Sequence, residues 1–468
     1  MRHTGLIALA ALLLLAAACG GGGDAGDTAS DAASAAADVG SGPTGGVSDA
    51  ASETASEELS EAPSEAASAS GEASEARSEP GGAQGDGTMA VGTLLPETGS
   101  LAFLGPPMFA GVELAVEDVN AAGGVLGTDI TSIRGDSGDT TTDIASQTTD
   151  RLLGEGADAI IGAASSGVSL TVIDAITGGG VVQFSPANTA TDFTDYADDG
   201  LYFRTAPSDV LQGQVLGELI IEDGNATLGI LALQDAYGEG LAQFVTESFE
   251  GSGGQVVESI IYDPNAPSYD AEVQQIVAAD PDAIIVIGFD ESARIITSLI
   301  ENGVGPGEKA VYGSDGNMGN ALGEQFGDQA GALEGMKGTT PLTPLGEDFQ
   351  ERLLEVDPEL VDFNYSGESY DAVVIIALAA EIADTDAAAA FAEEISGVTR
   401  DGEPCADYAA CLELVQAGED IDYDGVIGPI EMSDAGDPTV ASYGVLTFGP
   451  DNVLVDPPEF REAELDAS

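Results

Sequence analysis

The sequence predicts an α/β chain of two doubly wound Rossmann-like lobes joined by hinge strands, and three observations predict it. From residue 90 onward, short apolar runs alternate with amphipathic helical stretches, the pattern of a parallel sheet with helices on both faces. The alternation breaks once, at 202–208 (YFRTAPS), and then starts afresh. The chain's 468 residues, 43% of them hydrophobic, suffice for two or three domain cores.

The first unit sets the pattern. Residues 90–95 are short, apolar and followed by Pro96, which suits a strand buried on both faces. The loop 96–107 falls at the carboxyl end of that strand, where open α/β sheets bind small ligands. Val112, Val116 and Val119 share one helical face and Glu113, Glu117 and Asp118 the other. Gly123 or Gly124 supplies the left-handed residue that closes the helix. A strand at 129–133 and a helix at 141–154 follow, then a strand at 157–162, the loop 163–167, a helix at 168–177 and a strand at 181–184. That strand runs into the loop Ser185-Pro186-Ala187-Asn188-Thr189. In the second series the spacing predicts strands at 227–233, 256–261, 283–288 and 310–312. Its helices fall at 210–222, 240–250, 269–279 and 292–302. Helical stretches at 349–356, 368–383 and 387–395 return the chain to the first lobe, and 443–448 forms a closing strand. The organisation expected is lobe 1 at 89–206, lobe 2 at 207–336, the second part of lobe 1 at 337–430, and 431–468 returning to lobe 2 as strand and tail. The cleft between two such lobes is the natural binding site.

Ahead of the folded region, Arg2 and His3 precede the apolar run 6–15 and the small residues Ala16, Ala17 and Ala18, the layout of an export signal. Cys19 followed by Gly20 resembles the lipobox of bacterial lipoproteins, with Ala16 where Leu is usual. Lipidation of Cys19 is the expectation, and simple cleavage after Ala18 the alternative. Residues 20–88 consist almost wholly of Gly, Ala, Ser, Asp, Glu, Thr and Pro, too little apolar surface to fold. They read as an acidic linker with a root-mean-square reach of roughly 45 Å.

Composition excludes several functions. A formal charge of −72, from 83 acidic and 11 basic residues, excludes nucleic acid as a main partner. The single histidine, His3, lies in the export signal, so Ser–His or Cys–His catalysis and His-ligated zinc have no histidine to use. No paired-carboxylate or nucleophile motif stands out. The expectation is a protein that is not an enzyme and uses neither metal nor cofactor.

The order of several short motifs then becomes informative. They include Gly111-Val112-Glu113-Leu114-Ala115, Ile161-Gly162-Ala163-Ala164-Ser165-Ser166, Ser185-Pro186-Ala187-Asn188-Thr189, Phe203-Arg204-Thr205 with Asp209 and Gln212-Gly213, Asp235-Ala236-Tyr237-Gly238, and Ser369-Tyr370-Asp371-Ala372-Val373. From residue 90 to about 448 the chain resembles the type I periplasmic-binding fold, specifically the branched-chain amino acid (Leu/Ile/Val) binding proteins of ATP-driven importers. The resemblance implies that Ser165 or Ser166 meets a ligand carboxylate, that Ala187, Asn188 and Thr189 contribute from the next loop, and that Leu104 stands where an aromatic often stacks. It likewise implies contacts from Tyr237 and Phe289, and pairing of Asp315 with a ligand ammonium, as Asp where Glu is usual. The residues alone leave Ser165, Ser166 and Thr189 readable as helix caps, Tyr237 and Phe289 as core, and Asp315 as a surface acid.

Cys405 and Cys411 are expected to pair in an oxidising exterior. The function expected is the solute-binding component of an ATP-driven importer. It would be lipid-anchored at the outer face of the bacterial cytoplasmic membrane, monomeric, and partnered by permease and ATPase subunits. A ligand-sensing surface receptor domain of the same fold is the alternative.

Overall fold

β-Branched and aliphatic runs that are buried on both faces can only be strands flanked by helices, and the computed structural model, which describes residues 85–465, places them so. In lobe 1 the strands are β1 (Ala90–Leu94), β2 (Thr131–Ile133), β3 (Ala159–Gly162), β4 (Val182–Ser185) and β5 (Tyr202–Arg204). They form a parallel sheet in the order β2-β1-β3-β4-β5. Helices α1 (Gly105–Ala122), α2 (Ile144–Glu155) and α3 (Ser166–Thr177) connect them. The segment that breaks the alternation is thus divided: its first half is the fifth strand of lobe 1, and 205–208 crosses to lobe 2.

Lobe 2 begins with α4 (Asp209–Glu222) and continues through β6 (Thr227–Leu233), α5 (Ala236–Gly251), β7 (Gln255–Tyr262), α6 (Asp270–Ala279), β8 (Ala283–Ile287), α7 (Ser292–Glu301), β9 (Ala310–Gly313), α8 (Asn320–Gln325) and β10 (Lys337–Pro341). After β10 the chain returns to lobe 1 as α9 (Glu347–Val356), α10 (Ser366–Ala383), α11 (Ala388–Ile395), β11 (Glu403–Cys405), α12 (Tyr408–Ala417) and β12 (Ile421–Tyr423). A third crossing leads into β13 (Val440–Thr447) and β14 (Glu459–Glu464). These complete a seven-stranded sheet, β14-β13-β10-β9-β8-β6-β7, parallel from β7 to β10 and antiparallel at β13 and β14.

The expected boundary at 336/337 is corrected by this topology. β10 pairs with β9 on one side and β13 on the other, so the second crossing follows Pro341. Its sequence, KGTTP, has no apolar run to announce a strand; neighbours on both sides hold it in the sheet.

α10 is the central helix of lobe 1, buried along nearly its whole length. It packs on α1, and Gly111 is what permits the approach: a Cβ there would sit 2.1 Å from the Ser366 carbonyl oxygen. The Cys405 and Cys411 sulfurs are joined across the first turn of α12, with Cα atoms 5.4 Å apart. The export signal, Cys19 and all but the end of the linker lie outside the described residues.

Candidate functional site

Each sheet presents the carboxyl ends of its strands to the other lobe, and the loops leaving those ends carry the site. After β3, Ser165 caps α3 by accepting from the Val168 N–H at 3.3 Å, and Ser166 Oγ accepts from the Ala190 N–H at 3.3 Å. The hydroxyl of Ser185, at the end of β4, gathers the next loop. It accepts from the N–H groups of Ala187 and Asn188 and donates to the Ala163 carbonyl. The loop is pinned from behind by Arg204. This fully buried side chain donates to the carbonyls of Asn188 and Ala190 and pairs with Asp437 at 2.6 Å.

Lobe 2 supplies the acid and the aromatics. Tyr237, in the first turn of α5, stacks on Phe289 with centroids 5.6 Å apart and an 8° interplanar angle. Asp315, in the loop after β9, is buried and accepts from Gln212 Nε2 and the Tyr237 hydroxyl on Oδ1, and from the Tyr365 hydroxyl on Oδ2, each at 2.8 Å. Burial pushes its carboxyl above the ordinary range, and the three donors pull it back. Oδ1 is saturated, while Oδ2 keeps one acceptor position. Behind it, Asp209 is wholly buried, and burial first and the Asp315 charge second push its carboxyl well up, with the Thr189 hydroxyl opposing them.

Leu104, Ser165, Ser166, Ala187, Thr189, Tyr237, Phe289 and Asp315 all line one narrow inter-lobe cavity, closed down in this structure to ≈ 10 Å³. Leu101, Ala164, Gly316 and Tyr365 complete the lining. Asn188 is the correction. It is fully buried, and its amide is spent within lobe 1, donating to the carbonyls of Ala163 and Ala164 and accepting from the Tyr202 hydroxyl. It shapes the loop and does not face the cavity.

Tyr365 was not legible in the sequence. It precedes α10 with φ 59°, left-handed backbone that costs a non-glycine residue of order 1 kcal/mol, and no motif marks it. Outward, Ser165 and Phe289 also border a vestibule of ≈ 450 Å³, where Asp139 from lobe 1 meets Asp235 and Asp290 from lobe 2.

Chemically, one end of the cavity offers a carboxylate acceptor. The other offers hydroxyls and the amino terminus of α3, which favours negative charge. No Lys, Arg or His is among the lining residues. That polarity fits a small zwitterion, and the apolar walls of Leu101, Leu104 and Phe289 fit a modest side chain.

Residues 88–447 match the family model described as periplasmic binding protein. A chemotactic signal transduction system substrate-binding protein of Halobacterium salinarum is 27% identical over 365 residues, covering 75% of this chain and 84% of that protein. The branched-chain amino acid transporter substrate binding protein LivJ of Streptococcus pneumoniae, solved with isoleucine, is similar in fold. Its TM-score is 0.66 at 22% identity, over 80% of this chain and 100% of that one. A solute binding protein of an ABC transporter from R. palustris, solved with 4-hydroxybenzoate, also has a TM-score of 0.66, at 15% identity over 81% and 98% of the two chains.

Proposed function

The chain belongs to the periplasmic binding protein family, and from that premise we propose that it captures an amino acid between its lobes and delivers it to the permease of an ATP-driven importer. It is a solute-binding protein and not an enzyme. The observation that carries the choice of ligand is the state of Asp315: a buried carboxylate with three protein donors and one acceptor position left, in a cavity lined by no cationic side chain. A ligand ammonium completes it with a charge-assisted bond. Ser165, Ser166 and Thr189 then receive the ligand carboxylate at the α3 terminus, while Leu104, Ala187, Tyr237 and Phe289 surround the side chain. An aromatic acid, the ligand class of the R. palustris relative, brings no cation to Asp315.

Cys19 is the proposed lipid anchor, holding the protein at the outer face of the membrane, and the Cys405–Cys411 bridge suits that oxidising side. Among the described residues no helix is long and apolar enough to cross a membrane. Sensing is the second reading, favoured by the name of the H. salinarum relative; there the closed form would signal to a membrane receptor.

Calorimetry of the full chain against leucine, isoleucine, valine, other amino acids, benzoate and 4-hydroxybenzoate tests the ligand class. Saturable heat is expected with amino acids only, and binding of the benzoates without the amino acids would reverse the assignment. Ligand-dependent association with a permease, set against association with a chemotaxis transducer, separates transport from sensing.

A further inference from the structure

The three crossings between the lobes converge on a second cavity, remote in function from the ligand cleft. Thr205 and Pro207 line it from the first crossing, Pro341 and Thr343 from the second, and Pro429 and Pro438 from the third. Glu368, on α10, supplies the one charged side chain among the lining residues. It is only 5% exposed, and its carboxyl meets no donor but its own backbone N–H. Its backbone carbonyl, by contrast, accepts from the Thr205 hydroxyl at 2.9 Å. The Thr343 hydroxyl is also buried without a partner.

The lining decides what such a cavity accepts. Four of its residues are prolines, which contribute carbonyl oxygens and no N–H. The site is therefore richer in acceptors than in donors, no cationic side chain lines it, and beyond its own backbone N–H the ionised Glu368 has no charged or amide donor to satisfy it. An unpaired buried charge is costly until a counter-charge arrives. The available space, about 30 Å³ for the centre of a water-sized sphere, is roughly two to three times the ~10–15 Å³ that admits one water. A single carboxylate does not suit a divalent ion, which takes several oxygen ligands with more charge, and no group of three or more His, Cys, Asp or Glu suited to a metal exists among the described residues.

We propose that this hinge cavity binds one small monovalent cation, sodium or one of similar size, on the Glu368 carboxylate and the Thr343 hydroxyl. Bound there, the ion ties the second crossing to α10, beside the Thr205 bond that already ties the first, and couples lobe geometry to the ionic environment. The inference does not depend on which solute the cleft takes. Burial pushes the Glu368 carboxyl up to about 8, and Asp371, one turn along the helix, adds to the rise. Asp371 is itself held by the Tyr423 hydroxyl and the N–H groups of Val426 and Ile427. The other lining residues, from all three crossings and β13, carry no charge. Cation and proton therefore compete for one group, and the ion binds at high pH.

The test is the melting temperature of the full chain as sodium replaces choline at constant total chloride, at pH 9 and at pH 6. At pH 9 the melting temperature should rise with sodium, by roughly 2 °C per tenfold increase beyond half-saturation. At pH 6 the gain should shrink, and in Glu368→Gln it should vanish at both pH values. Thr343→Val should shift the sodium dependence to higher concentration, read as the sodium-induced rise over that variant's own melting temperature in choline. Should Glu368→Gln fail to fold, the pH comparison on the unaltered chain together with Thr343→Val decides the matter. Equal stability in sodium and choline at pH 9 would overturn the proposal, as would a sodium gain that persists in Glu368→Gln or one that is the same at pH 6.

Discussion

Asp315 accepts from Gln212, Tyr237 and Tyr365, so replacing it by asparagine removes a charge from a site that keeps its shape. Asp315→Asn should weaken an amine-bearing ligand by about 100-fold, the scale of a lost buried charge-assisted bond, with folding intact; calorimetry against the preferred amino acid measures it. Tyr365→Phe removes one of the three donors. The ligand should bind several-fold more weakly, about 1 kcal/mol. Binding an ammonium needs the ionised carboxylate, so affinity falls as pH falls through the Asp315 pKa. Burial already raises that pKa, and losing a donor raises it further, so the variant's affinity should decay at a higher pH than the wild type's. An unshifted pH profile would mean that Tyr365 only fills space. At this scale sequence and structure part company for a simple reason. Asp315 and Tyr237 sit in loops whose strand-turn-helix surroundings can be read, whereas Tyr365 reaches the cavity from a distant segment with an unusual backbone angle. Asn188 is adjacent to facing residues in the chain, yet its amide turns inward to carbonyls that only the fold brings near.

Elements were legible where burial leaves a periodic mark. The runs AIIG at β3 and AIIVI at β8 are buried throughout, and such runs bounded by turns read as strands. β10 and β14 left no such mark. KGTTP is placed by its neighbours, and EFREAE is an edge strand with no apolar run, its three glutamates exposed and Arg461 paired with Glu222. The crossings likewise carry no periodicity, and their geometry rests on tertiary bonds. Arg204 is the clearest of these, joining the end of β5 to the 188–190 loop and, through Asp437, to the third crossing. Arg204→Met keeps most of the volume but leaves Asp437 with the Thr194 hydroxyl and no counter-charge and two buried carbonyls without these donors, and should cost about 3–5 kcal/mol. Denaturant unfolding measures the loss, and ligand affinity should fall with it, because Thr189 stands on the loop that Arg204 holds.

For the whole molecule, stability should decline from mildly acidic to mildly alkaline pH. Burial pushes the carboxyls of Asp371 and Asp235 up to about 6, Asp158 to about 7 and Glu368 to about 8. Each of these groups binds its proton more tightly in the folded chain than in the unfolded one, where carboxyls titrate near 4. Between about pH 4 and 8 the folded state therefore holds more protons, and its stability falls as pH rises through that window. Asp136 and Asp282 are shifted downward and act oppositely, so their contribution is lost only as pH falls below the ordinary carboxylate range. The formal charge of −72 at pH 7 works in the same direction as the raised groups, since neutralising surface acids relieves self-repulsion. Salt screens the surface part over about 10 Å at 0.1 M but reaches buried carboxyls weakly. Scanning calorimetry at pH 5 and pH 8, in low and high choline chloride, should accordingly show the higher melting temperature at pH 5. Added salt should recover part of the difference and not all of it. Complete recovery would assign the whole effect to surface repulsion and leave the buried carboxyls no share, and a higher melting temperature at pH 8 would mean that the buried carboxyls hold no extra protons in the folded chain.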